Sequence, residues 1–231
     1  GTTDAGTSVV TILDGEVTLR PAAAAEFTVL PPTTEWQSFA WATGGASTVS
    51  GGLLTVDGAR FNTEPITTTY GPGTSVEFVA TFNANRHQYV GFGAGNDGIV
   101  SGSIFNTNPW AMFGTGAGGT SVQARVNVTG TLLDFTVPGS LLGTAHKYRI
   151  DWKTTSVDFY VDDALVHTET ATVPGPMLAH PAMASTAKSS RACFIIPPRH
   201  PDASVTRGNP RRRHGGWHSG QFDTARRVHL R

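Results

Sequence analysis

Sugar recognition needs aromatic faces that can stack on a pyranose ring, with amides, carboxylates or guanidinium groups nearby to meet its hydroxyls. The densest such run in the 231-residue chain is Phe105-Asn106-Thr107-Asn108-Pro109-Trp110. Trp36 and Trp41 near the N-terminal edge, His87 and Tyr89, two residues apart, and the lone strand carboxylate Glu77 are further candidates. Cleaving a glycosidic bond asks for more: two carboxyl groups on one face, about 5–5.5 Å apart in a retaining mechanism. Acids spaced i, i+2, i+4 along a strand would supply them, because alternate side chains share a face. No run of three acids has that spacing. Asp158-Phe159-Tyr160-Val161-Asp162 comes nearest, with Tyr160 between the acids.

Signals for other chemistry are thin. Gly95-Asn96-Asp97-Gly98 offers oxygens of the kind Ca²⁺ accepts, with Asn96 and Asp97 as side-chain ligands, although the same residues also make an ordinary turn. His214 and His218 would chelate a metal only on a helix, and Gly215-Gly216 between them argues against one. No Ser-His-Asp set, phosphate loop or dinucleotide fingerprint stands out. Asn127-Val128-Thr129 is a formal glycosylation sequon.

The elements that must position these groups read as strands. In residues 146–169, Tyr148, Ile150 and Trp152 alternate with charged residues. A polar turn follows, and then Val157, Phe159 and Val161 alternate with Asp158, Tyr160 and Asp162. Asp162-Asp163 turns the chain into a third strand at 164–169. Residues 75–82 place Val76, Phe78, Ala80 and Phe82 on one face, and residues 88–94 are expected as their hairpin partner. Further strands are expected at 8–13 and 16–20 around Asp14-Gly15, and at 26–30, 53–56, 110–113, 121–128 and 132–137. Residues 60–74 read as an irregular loop. Short strands with regular turn signals and no convincing helix indicate an all-β antiparallel sandwich.

The pattern H-x-Y-R-I-D-W … S-V-x-F-Y-V-D-x-x-L-V-H-T over residues 146–168 resembles the back-sheet hairpins of concanavalin A-like jelly rolls. It looks most like the laminarinase-type glycoside hydrolases of family 16 and the laminin-G-like domains. Trp36, Trp41, Gly44-Gly45 and V-S-G-G-L-L-T-V-D-G at 49–58 resemble the opening of the same domains, and the resemblance covers roughly residues 26–176. Asp163 stands where those domains usually have glycine, a place that favours positive φ and that Asp tolerates. The resemblance implies a jelly roll with a concave face for polysaccharide and, in related members, one structural Ca²⁺. The hydrolases carry Glu-x-Asp-x-Glu on one strand of that face, and this chain lacks it. The resulting expectation is a non-catalytic, lectin-like module of an extracellular bacterial protein. It would bind a polysaccharide or cell-surface glycan through Phe105, Asn106, Asn108, Trp110, Glu77, His87 and Tyr89. The alternatives are a degenerate β-glucan hydrolase using Glu77 with Asp97 or Asp134, and a spacer with no ligand.

Charge divides the chain. Residues 1–176 carry 7 Lys+Arg against 15 Asp+Glu, whereas residues 177–231 carry 10 against 2, so the formal net charge of zero conceals two opposite halves. The expected organisation is therefore a linker with N-terminal strands at 1–25, the sandwich at 26–176, and a basic, low-order tail at 177–231. Within that tail only Cys193-Phe194-Ile195-Ile196 has strand character, and no closing strand of the family type follows. The tail reads as an arm for an acidic partner such as nucleic acid, as a disordered linker, or as out-of-frame translation of a GC-rich gene. On the last reading, a chain ended at Pro176 keeps its fold and stability. Cys193 is the only cysteine, so the body has no disulfide. With no charged-then-apolar leader and no long apolar run, the chain reads as an excerpt from a longer exported polypeptide with neighbouring domains and no membrane segment.

Overall fold

A computed structural model describes residues 7–9, 17–19, 23–25, 27–40, 43–63, 70–93, 109–175, 177–184, 187–188 and 194–196. The described residues contain strands and no helix, hence no helix long and apolar enough to cross a membrane, which says nothing about a β-barrel. In chain order the strands are β1 (Thr7–Val9), β2 (Val17–Leu19), β3 (Ala23–Ala25), β4 (Trp36–Ala40), β5 (Ala46–Ser50) and β6 (Leu53–Asp57). Next come β7 (Ala59–Thr63), β8 (Thr74–Ala80), β9 (Gln88–Gly93), β10 (Trp110–Gly114), β11 (Gln123–Val128) and β12 (Thr131–Thr136). The last are β13 (His146–Trp152), β14 (Val157–Val161), β15 (Ala164–Glu169), β16 (Leu178–Ala184), β17 (Ala187–Lys188) and β18 (Phe194–Ile196).

Two large antiparallel sheets form the sandwich. One runs β12-β11-β10-β9-β16-β7-β4 and the other β15-β14-β13-β8-β18-β3. Smaller sheets pair β1 with β2 and order β17-β6-β5. The alternation read from the sequence decides which side chains meet between the large sheets. Val76, Phe78 and Ala80 of β8, and Tyr148, Ile150 and Trp152 of β13, face Val90, Phe92, Ala111, Phe113, Ala124 and Val126 of the seven-stranded sheet in one buried core. Phe92 and Trp152 rings lie 5.7 Å apart across the sheets, and the indole N–H of Trp152 donates to the Val173 carbonyl at 3.0 Å. A second aromatic group closes the core near β4, where Trp36 stacks on Phe61 at 5.5 Å and Phe27 meets both edge-on.

The hairpins at 146–169 stand where the alternation put them. The β14–β15 turn has positive φ at both Asp162 (49°) and Asp163 (68°), as a type I′-like hairpin turn demands. Four expectations need correction. Strands β8 and β9 are not hairpin partners: β8 pairs with β13 and β18, and β9 with β10 and β16 in the opposite sheet. Both strands have a largely apolar face, and placing them on opposite sides of one core buries both faces. Residues 27–30 are not a strand; Phe27 takes φ 45°, which turns its ring into the core, and pairing occurs instead at Ala23–Ala25. Residues 59–63, expected to begin a loop, form β7, whose every side chain is buried and which therefore shows no alternation.

The fourth correction concerns the tail expected from residue 177. The backbone of β16 lies between β9 and β7, β17 pairs with β6, and β18 pairs with β3 and β8. Pro181 hid this strand in the sequence, since proline removes a ladder donor. It falls at the register shift between His180 and Met183, where the ladder to β9 is already interrupted. Residues 197–231 lie outside the described residues.

Two predictions follow from these contacts. Ending the chain after Pro176 would leave facing edges of β9 and β7 unpaired, so it should cost at least ~3 kcal/mol, or roughly 6–12 °C in the thermal midpoint; circular dichroism melting of the two chains measures this. The second concerns Asp158, whose side chain is only 6% exposed. Burial by itself would raise its carboxyl pKa, but hydrogen bonds from Lys153 and Thr168, the Lys153 charge and a bond from Tyr160 outweigh burial and hold it below the usual carboxylate range. A depressed folded-state pKa gives stability that is complete above the unfolded value of about 3.9 and is lost as pH falls through the folded value. Urea midpoints at about pH 6 and 3 should therefore differ less in Asp158→Asn than in the parent protein.

Candidate functional site

The outer face of the seven-stranded sheet brings several sequence candidates together. Because Ala111 and Phe113 point into the core, Trp110, Met112 and Gly114 of β10 point outward. Register then sets Gly91, Met112, Arg125 and Asp134 in one row across β9 to β12, with Tyr89, Gly114 and Gln123 in the next. Tyr89, Trp110 and Met112 form a small buried cluster of their own on this face.

Arg125 organises the site. Its Nε and Nη2 donate to the two carboxylate oxygens of Asp134 at 2.7 and 2.9 Å, and its Nη1 donates to the Tyr89 hydroxyl oxygen at 2.8 Å. Such two-point pairing fixes the guanidinium plane. The plane lies 5.3 Å from the Tyr89 ring centre and 5.7 Å from that of Trp110. The Arg125 side chain is 8% exposed and that of Asp134 31%, so the pair is sunk on one side and open to water on the other. Burial opposes the Arg125 charge, but the bonds to Asp134 and the interactions with Tyr89 outweigh it and raise the guanidinium pKa further. The Tyr89 hydroxyl is pushed up chiefly by burial, with Arg125 pulling the other way.

The Tyr89 hydroxyl also lies within hydrogen-bond distance of His87 Nδ1, at 3.2 Å. His87 sits at φ 62° in the connection leading into β9, and its N–H donates to Gly116 O at 2.8 Å. Gln88 holds the same connection in shape: its side-chain amide donates to Asn83 O (2.8 Å) and Asn85 O (2.6 Å) and accepts from Asn83 N (2.9 Å). The exposed His87 imidazole, Tyr89, Arg125 and Asp134 thus form one continuous polar chain across the sheet.

The other expected positions distribute differently. Glu77 lies on β8 in the six-stranded sheet, on its outer face beside Lys147 (4.0 Å), so it cannot line the surface that carries Tyr89. The same separation rules out Glu77 and Asp134 as two acids on one substrate. Trp110 belongs here, but it is 2% exposed and packs under the face rather than presenting an open ring. Asn96, Asp97, Phe105, Asn106 and Asn108 lie outside the described residues, as do Trp41, His214 and His218. Asp158 is bound to Lys153 and Thr168 on β14, in the other sheet. Asn127 is buried and its side-chain oxygen accepts from Gly130 N at 3.0 Å, so the sequon is spent on a turn. No group of three His, Cys, Asp or Glu is placed to hold a metal ion among the described residues. Sequence reasoning missed Arg125, which joins Asp134 only once β11 and β12 are in register.

Comparison with known proteins agrees with this architecture. The family model for glycosyl hydrolases family 16 matches residues 111–190, from β10 through β17, and so runs past the break expected at Pro176. The catalytic domain of an endo-1,3-beta-glucanase (laminarinase) from Thermotoga petrophila RKU-1 is similar over 78% of this chain and 98% of its own, with TM-score 0.56 and 13% identity. An endo-beta-1,3-glucanase from Pyrococcus furiosus matches over 83% and 98%, with TM-score 0.54 and 12% identity. LamA from Z. galactanivorans, solved with laminaritriose and laminaritetraose, matches over 77% and 98%, with TM-score 0.53 and 15% identity. At these identities the likeness is one of fold: a family 16 glucanase-like jelly roll. No curated protein matches the chain.

Gly114 gives this site its most direct test. A Cβ built there would stand 2.2 Å from a Tyr89 ring carbon and 2.5 Å from Gln88 O. Gly114→Ala should therefore displace the Tyr89 ring, break its contact with Arg125 and cost about 1–3 kcal/mol. Denaturant unfolding checks the cost, and near-ultraviolet circular dichroism should show the change in tyrosine packing.

Proposed function

We propose that this chain is a carbohydrate-binding β-sandwich module that holds a polysaccharide or cell-surface glycan on the outer face of its seven-stranded sheet without cleaving it. The observation that carries the reading is that the outward positions of β10 are Trp110, Met112 and Gly114, none of them an acid. This is the face on which a strand of alternate acids would create a hydrolase. Among the described residues its only acid is Asp134, and both of its oxygens are engaged by Arg125. A retaining pair needs a second carboxylate at about 5–5.5 Å. The polar chain from His87 to Asp134 instead supplies donors and acceptors suited to sugar hydroxyls, with water-exposed ends at His87 and Asp134.

The fold likeness to glucanases, one of them solved with laminari-oligosaccharides, supports β-1,3-glucan-type oligosaccharides as first probes. We place the module in an extracellular setting on the same ground. Isothermal titration with laminaritriose, laminaritetraose and a wider glycan panel tests the reading, beside a reducing-sugar assay on laminarin. The expected result is saturable binding between about 1 μM and 1 mM, weakened about tenfold by Asp134→Asn, with no release of reducing ends. A folded protein that binds no glycan would make the chain a spacer. Reducing-end release abolished by Asp134→Asn would make it a hydrolase.

A further inference from the structure

A second polar group lies away from the glycan face, at the rim where β13 begins. His146 opens that strand, Thr144 lies two residues before it, and Asp162 occupies the β14–β15 turn that folds back beside it. His146 Nδ1 is 2.7 Å from Asp162 Oδ2, and His146 Nε2 is 2.9 Å from Thr144 Oγ1. An ionised carboxylate only accepts, so Nδ1 carries a proton, and in the neutral ring Nε2 is the acceptor. In that form the Thr144 hydroxyl donates to Nε2. This places hydroxyl, imidazole and carboxylate in the order of an activated nucleophile, its base and the group orienting that base.

The arrangement is held from several sides. Asp162 Oδ1 accepts the Lys147 backbone N–H at 3.0 Å, which fixes the carboxylate. The Tyr148 ring meets the His146 ring edge-on at 6.3 Å, and Gly143 N donates to Phe82 O at 2.8 Å, anchoring the connection just before Thr144. Access is open: Thr144 is exposed, and a Cβ placed on Gly143 would meet nothing within 4 Å.

We propose that Thr144 is an acyl-acceptor site for small activated esters, with His146 as general base and Asp162 as its positioning residue. Thr144 Oγ1 attacks the ester carbonyl carbon while its proton passes to His146 Nε2. The tetrahedral adduct then collapses, the bond to the leaving oxygen breaks, and Nε2–H returns the proton to that oxygen. The products are an O-acyl ester on Thr144 and a free alcohol or phenol.

The test uses the full chain and p-nitrophenyl acetate, with peptide mass mapping before and after hydroxylamine, which cleaves esters and spares amides on lysine. Thr144 should be acetylated about 100-fold faster than the average of the other Ser and Thr hydroxyls, the scale of general-base assistance. Asp162→Asn keeps an acceptor for the Lys147 N–H and a residue that tolerates positive φ, so it should melt at the same temperature yet label Thr144 at least about tenfold more slowly. Thr144→Ser should label at least as fast as the parent, and His146→Gln should fall to the background rate. Labelling spread evenly over the hydroxyls, or Thr144 labelled equally fast in the parent, Asp162→Asn and His146→Gln, would overturn the proposal and leave the three residues a structural cap. Neither result depends on whether the protein binds glycan.

Discussion

The ring of Phe113 lies 4.9 Å from Tyr148, 5.1 Å from Phe159 and 6.4 Å from Phe78, so one residue of the seven-stranded sheet touches three successive strands of the other. Buried aromatic contacts of this kind dominate core energetics, and losing such a ring typically costs about 3–5 kcal/mol. The contact constrains more than stability. Side chains alternate strictly along a strand, so an inward Phe113 obliges Met112 and Gly114 to face outward. A one-residue slip would bury Met112 and Gly114 and expose Phe113 and Ala111. The core thus fixes which residues the outer face can offer to a ligand, before any ligand is considered.

What the face offers is set by charge pairing. Arg125 is nearly buried beside Tyr89 and Trp110, and a buried guanidinium without a partner would cost several kcal/mol. Asp134 on the neighbouring strand answers that need with both oxygens. The pairing stabilises the sheet and, by the same bonds, commits the one carboxylate that the described residues place on this surface to a structural partner. Tyr89 and His87 extend the pair into a row of hydrogen-bonding groups, a surface better suited to holding hydroxyls than to breaking an acetal.

Much of this fold was legible wherever one face of a strand is wet. The segment 146–169 has polar residues on alternate positions, so its three strands and its turn at Asp162-Asp163 could be read directly. Where both faces are covered the signal disappears: β7 reads Ala-Arg-Phe-Asn-Thr, all buried, and was indistinguishable from a loop. Strand β16 carries Pro181, a residue that argues against a central strand, and only the register shift at that point reconciles the two. Sequence neighbours also mislead about partners, because β8 and β9 follow one another but serve opposite sheets. The candidate site was half visible for a related reason. His87 and Tyr89 are close in the chain, whereas the Arg125–Asp134 and Thr144–His146–Asp162 groupings depend on strand pairing, and no spacing rule on one strand finds them.

The two histidine-centred chains differ in a way that separates their chemistry. On the outer face of the seven-stranded sheet, Tyr89 stands between His87 and Arg125, and both oxygens of the carboxylate beyond are bonded to Arg125. At the rim, Asp162 bonds the His146 ring directly at 2.7 Å with its other oxygen on a backbone N–H, the order that the proposed nucleophile needs. A hydroxyl at the far nitrogen is then set to lose its proton, whereas the Tyr89 hydroxyl merely passes a hydrogen bond along. The same three residue types, acid, histidine and hydroxyl, therefore make the proposed binding surface in one place and the proposed nucleophile in the other. Their order along the hydrogen bonds decides which.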